Sequence, residues 1–360
     1  MIAYANDPIR ARLTQLIDDV AAQRIEWCEL RLPSVVRALA TGLDRLFPAS
    51  RLFRLYTNRK AFASADVIVS PERTCLHVMR FIPTDRMPRF AILPHGAGDR
   101  SVSYHPDFAR FDRVFVAGTK VVDQLVAHGV APESITVVGY PKFDTIELSA
   151  RPDFFGNGRP TFVYNPHFDP YLSSWYDVGP DLLRWFASPD GQRFNLIFAP
   201  HVMLFRKELH VSPEYRIARQ RPQVPEVADR AANIRIDVAS SKLFDMSYML
   251  GADAYIGDVS SQVYEFLTRP RPTFFIDARS RRQRGEDEWL VFRKAGPVVR
   301  TVMDLVAVLP NFAEIGKAYR AVQRELFEYT FSVESQPASV RAAAAIRDWV
   351  SGLPERQSSP

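Results

Sequence analysis

From residue 66 onward the chain alternates short apolar runs with polar loops. The first four runs fall at 66–69, 90–93, 113–116 and 135–138. Each holds only a few residues and is rich in β-branched or aromatic side chains, as strands buried on both sheet faces require. Between the last two runs, Val121, Val122, Leu125 and Val126 repeat at helical spacing, and Gly129 follows as a C-cap. This β-α-β pattern predicts a parallel sheet.

The stretch 149–160 is dense in Pro, Gly and Asn and has no periodic apolar face, which marks a linker. A second series of runs then follows at 161–164, 195–198, 233–236, 254–257 and 273–276. Before the first series, Asp7 as N-cap, Pro8 at the first helical position, and Ile9, Leu13, Leu16, Ile17 and Val20 on one face predict a helix. The first strand is therefore missing, atypical, or represented by residues 25–30. Near the other end, 337–350 has good helix propensity, with its proline in the first turn. The predicted organisation is an N-terminal Rossmann-like domain over 1–150 and a second one over 151–335. A helix over 336–352 packs back on the first domain, and a disordered tail spans 353–360. The expected fold class is α/β, with two Rossmann-like parallel-sheet domains facing each other across a cleft.

Composition changes this picture little. Hydrophobic residues make up 47% and charged residues 24% of the 360, which excludes a disordered or fibrous chain. The net charge of +5 favours anionic partners, yet it is spread over 46 basic and 41 acidic residues with no aromatic-interleaved basic motif, so no nucleic-acid partner is expected. Cys28 and Cys75 cannot make a disulfide framework and point to a reducing compartment. The first eight residues lack the pattern of a signal peptide, and no run of about 18 apolar residues occurs. A cytoplasmic protein is expected, with attachment to the cytoplasmic face of the inner membrane left open.

In open parallel sheets, ligands bind beyond the carboxyl ends of the strands. Four such ends carry chemistry: Pro94-His95-Gly96-Ala97-Gly98, Asn165-Pro166-His167, Ala199-Pro200-His201, and Asp258-Val259-Ser260-Ser261. A histidine there can move a proton near neutral pH or support phosphate charge, although it can equally do no more than tie down its loop. The serine segment joins a strand to a helix, where free N–H groups, the helix dipole and hydroxyl donors suit a phosphate. Asp258 and Ser260 are equally the residue types of ordinary helix caps. Arg279, Arg281, Arg282 and Arg284 could meet pyrophosphate or an anionic membrane surface, or remain a solvated loop. No residue spacing matches a metal site, and no Walker or Gly-x-Gly-x-x-Gly loop is present. No metal and no cofactor are expected.

Taken in order, these residues resemble the CDP-glycerol glycerophosphotransferase family, the teichoic-acid polymerase type, over roughly residues 60 to 310. The resemblance rests on His95-Gly96, Gly139-Tyr140-Pro141-Lys142-Phe143-Asp144, Tyr164-Asn165-Pro166, Ala199-Pro200-His201, 253–261, Arg271-Pro272 through Asp277, and Gly296-Pro297-Val298-Val299. Gly257 and Val259 stand where the family has Thr and Tyr, Ala97-Gly98-Asp99 replaces a Thr-Pro-Leu-Lys type run, and Val202 replaces a Pro. The resemblance implies a GT-B-like fold and transfer of a polyol phosphate from a CDP-activated donor to a glycan or lipid-linked acceptor. It further implies that His95 is the base on the acceptor hydroxyl, with Gly96 and Gly98 beside it. His201, the second catalytic residue, would hold the CDP pyrophosphate with Ser260 and Ser261, and Asp258, Pro200, Asn165 and His167 would be further donor- and phosphate-binding residues. Two alternatives remain: a GT-B glycosyltransferase or epimerase-like enzyme using a UDP-sugar, and a non-catalytic nucleotide-binding protein.

Overall fold

The computed structural model describes residues 2–4, 7–15, 17, 23–30, 32–43, 49–278 and 290–354. The chain divides into two compact units, one of residues 1–94, 110–114 and 352–360, the other of residues 95–109 and 115–351. The second unit runs through the irregular 149–160 segment.

In the first unit, strand β1 (Ile2–Tyr4) pairs parallel with β2 (Glu26–Cys28). The predicted first helix spans Asp7–Thr14, so it ends before Leu16 and Val20, which lie outside the described residues. Next come β3 (Val67–Ser70) and β4 (Arg89–Ile92), paired parallel in register Val67↔Arg89. β4 also pairs with the start of β5 (Arg113–Val116). Phe90, Ala91 and Ile92 are buried, whereas Arg89 stays outside and meets Asp112 at 2.9 Å. Cys28 and Cys75 are both free, and burial pushes the Cys75 thiol up to about 11, so it stays protonated at neutral pH.

The second unit carries on from β5 into the Thr119–Ala127 helix and β6 (Ile135–Val137). Gly129 takes φ +85°, the left-handed turn that a helix end followed by a strand requires. The order β3-β4-β5-β6 makes a four-stranded sheet. Its larger sheet has six parallel strands: β7 (Thr161–Asn165), β8 (Asn195–Phe198), β11 (Ile234–Ile236), β12 (Ala254–Gly257), β13 (Thr273–Ile276) and β14 (Val298–Val299), in the order β11-β8-β7-β12-β13-β14. β7, β8, β12 and β13 are buried along their whole length, which is why they read as continuous apolar runs rather than alternating ones. Phe162, Trp175, Leu182, Phe186, Leu196, Phe198, Ile256, Phe274 and Leu305 fill the core against this sheet.

A separate antiparallel hairpin, β9 (Leu209–Ser212) with β10 (Ile217–Gln220), was not predicted. The 19-residue helix Phe312–Thr330 precedes the terminal helix Ala338–Ser351. The terminal helix is held by Asp144, whose carboxylate accepts from the backbone N–H groups of Ala338 (3.1 Å) and Ser339 (2.6 Å). The last residue of the Gly-Tyr-Pro-Lys-Phe-Asp run thus satisfies orphan N–H groups at that helix start. No helix among the described residues is long and apolar enough to cross a membrane.

Candidate active site

Apart from Pro94, all four chemistry-bearing segments fall in the second unit, and three of them meet through hydrogen bonds. Asn165, last in β7, is fully buried; its amide donates to the Ala199 carbonyl at 2.7 Å and to Gln262 Oε1 at 2.7 Å. It therefore joins the loops after β7 and β8 to the short helix Gln262–Phe266 after β12. Pro200 is buried beside it. Asp258 is buried and accepts four hydrogen bonds, from the backbone N–H groups of His167 (2.9 Å), Ser174 (2.7 Å) and Val259 (2.7 Å) and from the Ser174 hydroxyl (2.8 Å). Burial raises its pKa despite those donors. With its oxygens committed to the 167–174 loop, Asp258 positions that loop rather than facing a phosphate.

The two serines differ. Ser260 is buried, and its hydroxyl accepts from Gln262 N–H at 3.4 Å and meets the Tyr255 hydroxyl. It is buried in the turn into the helix. Ser261 is exposed and makes no side-chain cap hydrogen bond. The helix it opens has five residues, so its macrodipole is small and the local N–H groups and the Ser261 hydroxyl carry the polarity. Gly257, in the place of the family's Thr, has a direct reason: a Cβ there would collide with the Tyr255 ring as it reaches back toward Asn165.

The His95-Gly96-Ala97-Gly98 loop passes over Ser261. A Cβ on Gly98 would stand 3.2 Å from Ser261 Cβ, and one on Gly96 would stand 3.8 Å from Ser261 Oγ. A side chain at position 98 would require Ser261 to give by a few tenths of an ångström. His95 is exposed, and its backbone carbonyl accepts from the Tyr140 hydroxyl at 3.2 Å.

Two polar clamps that the sequence analysis did not find hold this loop to the 262–266 helix. In the first, buried Lys120 donates to the Ala97 carbonyl and to Asp99 Oδ1, each at 2.6 Å. Its ammonium also sits 3.5 Å from the centre of the Tyr264 ring. Asp99 in turn accepts from the Tyr264 hydroxyl at 2.5 Å and from Phe292 N–H at 3.0 Å. Burial pulls the Lys120 pKa down while Asp99 opposes the fall. In the second, Glu265 accepts from the Tyr140 hydroxyl at 3.0 Å and from Lys142 at 2.7 and 2.8 Å. The hydroxyl and ammonium of the Gly-Tyr-Pro-Lys run therefore serve the His-Gly loop from behind. Nothing in the sequence marks these clamps, because a lysine in the first turn of a helix reads as a solvated position.

His167 and His201 lie side by side, with ring centroids 5.2 Å apart. Burial, the Arg100 and Arg206 guanidiniums, and His95 hold His201 down at about 4, and burial with Arg100 and His201 holds His167 well below the usual imidazole range. Both rings are neutral at pH 7. Met203 N–H donates to His201 Nδ1 at 3.2 Å, which leaves the proton on Nε2 as a hydrogen-bond donor. Through Asn165, the loop that carries His201 is tied to the helix that Ser261 opens. Arg279, Arg281, Arg282 and Arg284 lie outside the described residues.

The architecture is α/β with two Rossmann-like parallel sheets of the GT-B type. Solved structures with this fold include the wall teichoic acid polymerase TagF, at TM-score 0.57 and 15% identity over 81% of this chain and 75% of that one. MnaA of S. aureus, solved with UDP, matches at TM-score 0.57 and 11% identity over 100% of this chain and 98% of its own. A putative UDP-N-acetylglucosamine 2-epimerase from Listeria monocytogenes matches at TM-score 0.55 and 12% identity, covering 98% and 97%. No sequence-family profile matches the chain, and no curated protein sequence does.

Proposed function

We propose that the chain is a transferase that moves a polyol phosphate, with CDP-glycerol as the leading donor, to a hydroxyl of a cell-envelope glycan or lipid-linked acceptor. The observation that carries this reading is the passage of the His95 loop directly over Ser261, with the His201 loop tied to the same helix through Asn165. Transfer to an alcohol needs a proton acceptor on the nucleophile and fixed donors on the leaving nucleotide. His95, exposed at the loop, takes the acceptor proton. The Ser261 hydroxyl and the His201 Nε2–H bind the nucleotide phosphates, and His201, held neutral, donates a hydrogen bond rather than a proton. His167 and the backbone around Asn165, Pro200, Asp258 and Ser260 shape that seat, while Gly96 and Gly98 leave room beside it for the acceptor. The bond between the glycerol-bearing phosphorus and CMP breaks as the acceptor oxygen bonds to that phosphorus, and CMP leaves.

The fold it shares with MnaA, solved with UDP, keeps a UDP-sugar enzyme as the second reading. Nucleotide release separates the two. Incubation with CDP-glycerol or CDP-ribitol and a glycan or lipid-linked acceptor is expected to yield CMP, with UDP-sugars yielding no UDP. UDP release without CMP would favour the second reading. Donor binding that raises the melting temperature without any nucleotide release would mark a binding protein.

A further inference from the structure

Arg100 has a contact that its partner cannot satisfy. Its Nη1 lies 3.2 Å from His167 Nε2, while His167 Nδ1 faces the Asp169 N–H at 3.0 Å. A guanidinium only donates, and a neutral imidazole has one N–H and one lone pair. The Asp169 backbone is fixed, because its own carboxylate accepts from Tyr171 N–H at 2.9 Å and Leu172 N–H at 3.3 Å. The Nδ1 lone pair is therefore taken, the ring proton sits on Nε2, and two donors face each other with no acceptor between them among the described residues. Protonating the ring would only add a donor, and moving its proton to Nδ1 would strand the buried Asp169 N–H instead. His201 presents a third donor in the same quarter through Nε2–H. The counter-ion of Arg100 is Glu214, 3.6 Å away on the turn between β9 and β10, with a side chain 43% exposed. That pairing is long, partly solvated and weak.

We infer that Arg100 and the Nε2–H groups of His167 and His201 form a three-donor seat for the oxygens of a phosphate or diphosphate, with Arg100 supplying the positive charge and Glu214 its resting partner. An anion oxygen placed between Arg100 and His167 accepts from both and removes the donor–donor conflict. The guanidinium fork suits two oxygens at once, which a lysine cannot match. This deepens the transferase reading and rests on it for the nucleotide attached to those phosphates.

The test is calorimetric titration of the full chain with inorganic pyrophosphate. The wild type is expected to bind it, Arg100→Gln to bind at least about 10-fold more weakly, and Arg100→Lys to fall between. Glu214→Gln, which removes the competing carboxylate, is expected to bind as tightly as wild type or a few-fold tighter, and it keeps the test decisive should Arg100→Gln fail to fold. Equal affinity of wild type and Arg100→Gln, weakened binding in Glu214→Gln, or no pyrophosphate binding by the wild type would each overturn the seat. Pyrophosphate carries neither nucleoside nor polyol, so binding without CMP release would sink the transferase reading alone. CMP release with no effect of Arg100 on pyrophosphate would sink the seat alone.

Discussion

Replacing His95 by alanine is expected to lower transfer at least about 100-fold, the usual scale for loss of a general base, while leaving donor affinity within about two-fold of wild type. The asymmetry follows from how the loop is held. Tyr140 binds the His95 backbone carbonyl and Lys120 binds the Ala97 carbonyl, so neither anchor depends on the imidazole. The proposed phosphate donors, Ser261 and His201, lie on other segments. The measurement is single-turnover CMP formation beside an independent donor affinity. Near-normal turnover would remove His95 from the chemistry, and lost affinity would make it a donor-binding residue instead.

The second large effect concerns the buried Lys120–Asp99 pair. Lys120→Met leaves the Asp99 carboxylate buried with only the Tyr264 hydroxyl and Phe292 N–H as partners, and an uncompensated buried charge of this kind costs about 3–5 kcal/mol. Asp99→Leu should cost a similar amount by stranding the ammonium. The double variant, Lys120→Met with Asp99→Leu, should be less destabilised than either single change, because no charge is left behind. Urea unfolding midpoints of the four proteins read this directly. Additive losses in the double variant would mean that the two side chains do not act as a pair.

Most of the sheet framework was legible because buried parallel strands have a simple signature. The runs at 113–116, 195–198, 254–257 and 273–276 coincide with β5, β8, β12 and β13, each closed by a residue that leaves the sheet. The β9–β10 hairpin was not legible. β9 alternates exposed and buried positions over only four residues, β10 has no buried position, and Arg216, not a glycine, takes the positive φ of +51° near the turn. Short β1 and two-residue β14 offer too few positions for any periodicity.

The strand-end rule picked out segments that the fold joins by hydrogen bonds, but it could not assign roles within them. Asp258, Ser260 and Ser261 lie within four residues, yet one buttresses a loop, one is buried in the turn into a helix and one is exposed beneath Gly98. That distinction depends on which way each side chain turns, and spacing does not encode it. The clamps were hidden for a different reason. Asp99 is 21 residues from Lys120, and Lys142 is 123 from Glu265, so both pairs exist only once the fold has brought them together. A lysine in a helix also reads as a solvated position, whereas Lys120 is 1% exposed.

The most direct test of the central claim is a crystal structure of the protein with CDP-glycerol bound. The account predicts the diphosphate within hydrogen-bonding distance of Ser261 Oγ and His201 Nε2, with the glycerol-bearing phosphorus toward His95. Nucleotide bound away from both Ser261 and His201, or with its diphosphate directed away from the His95 loop, would contradict it.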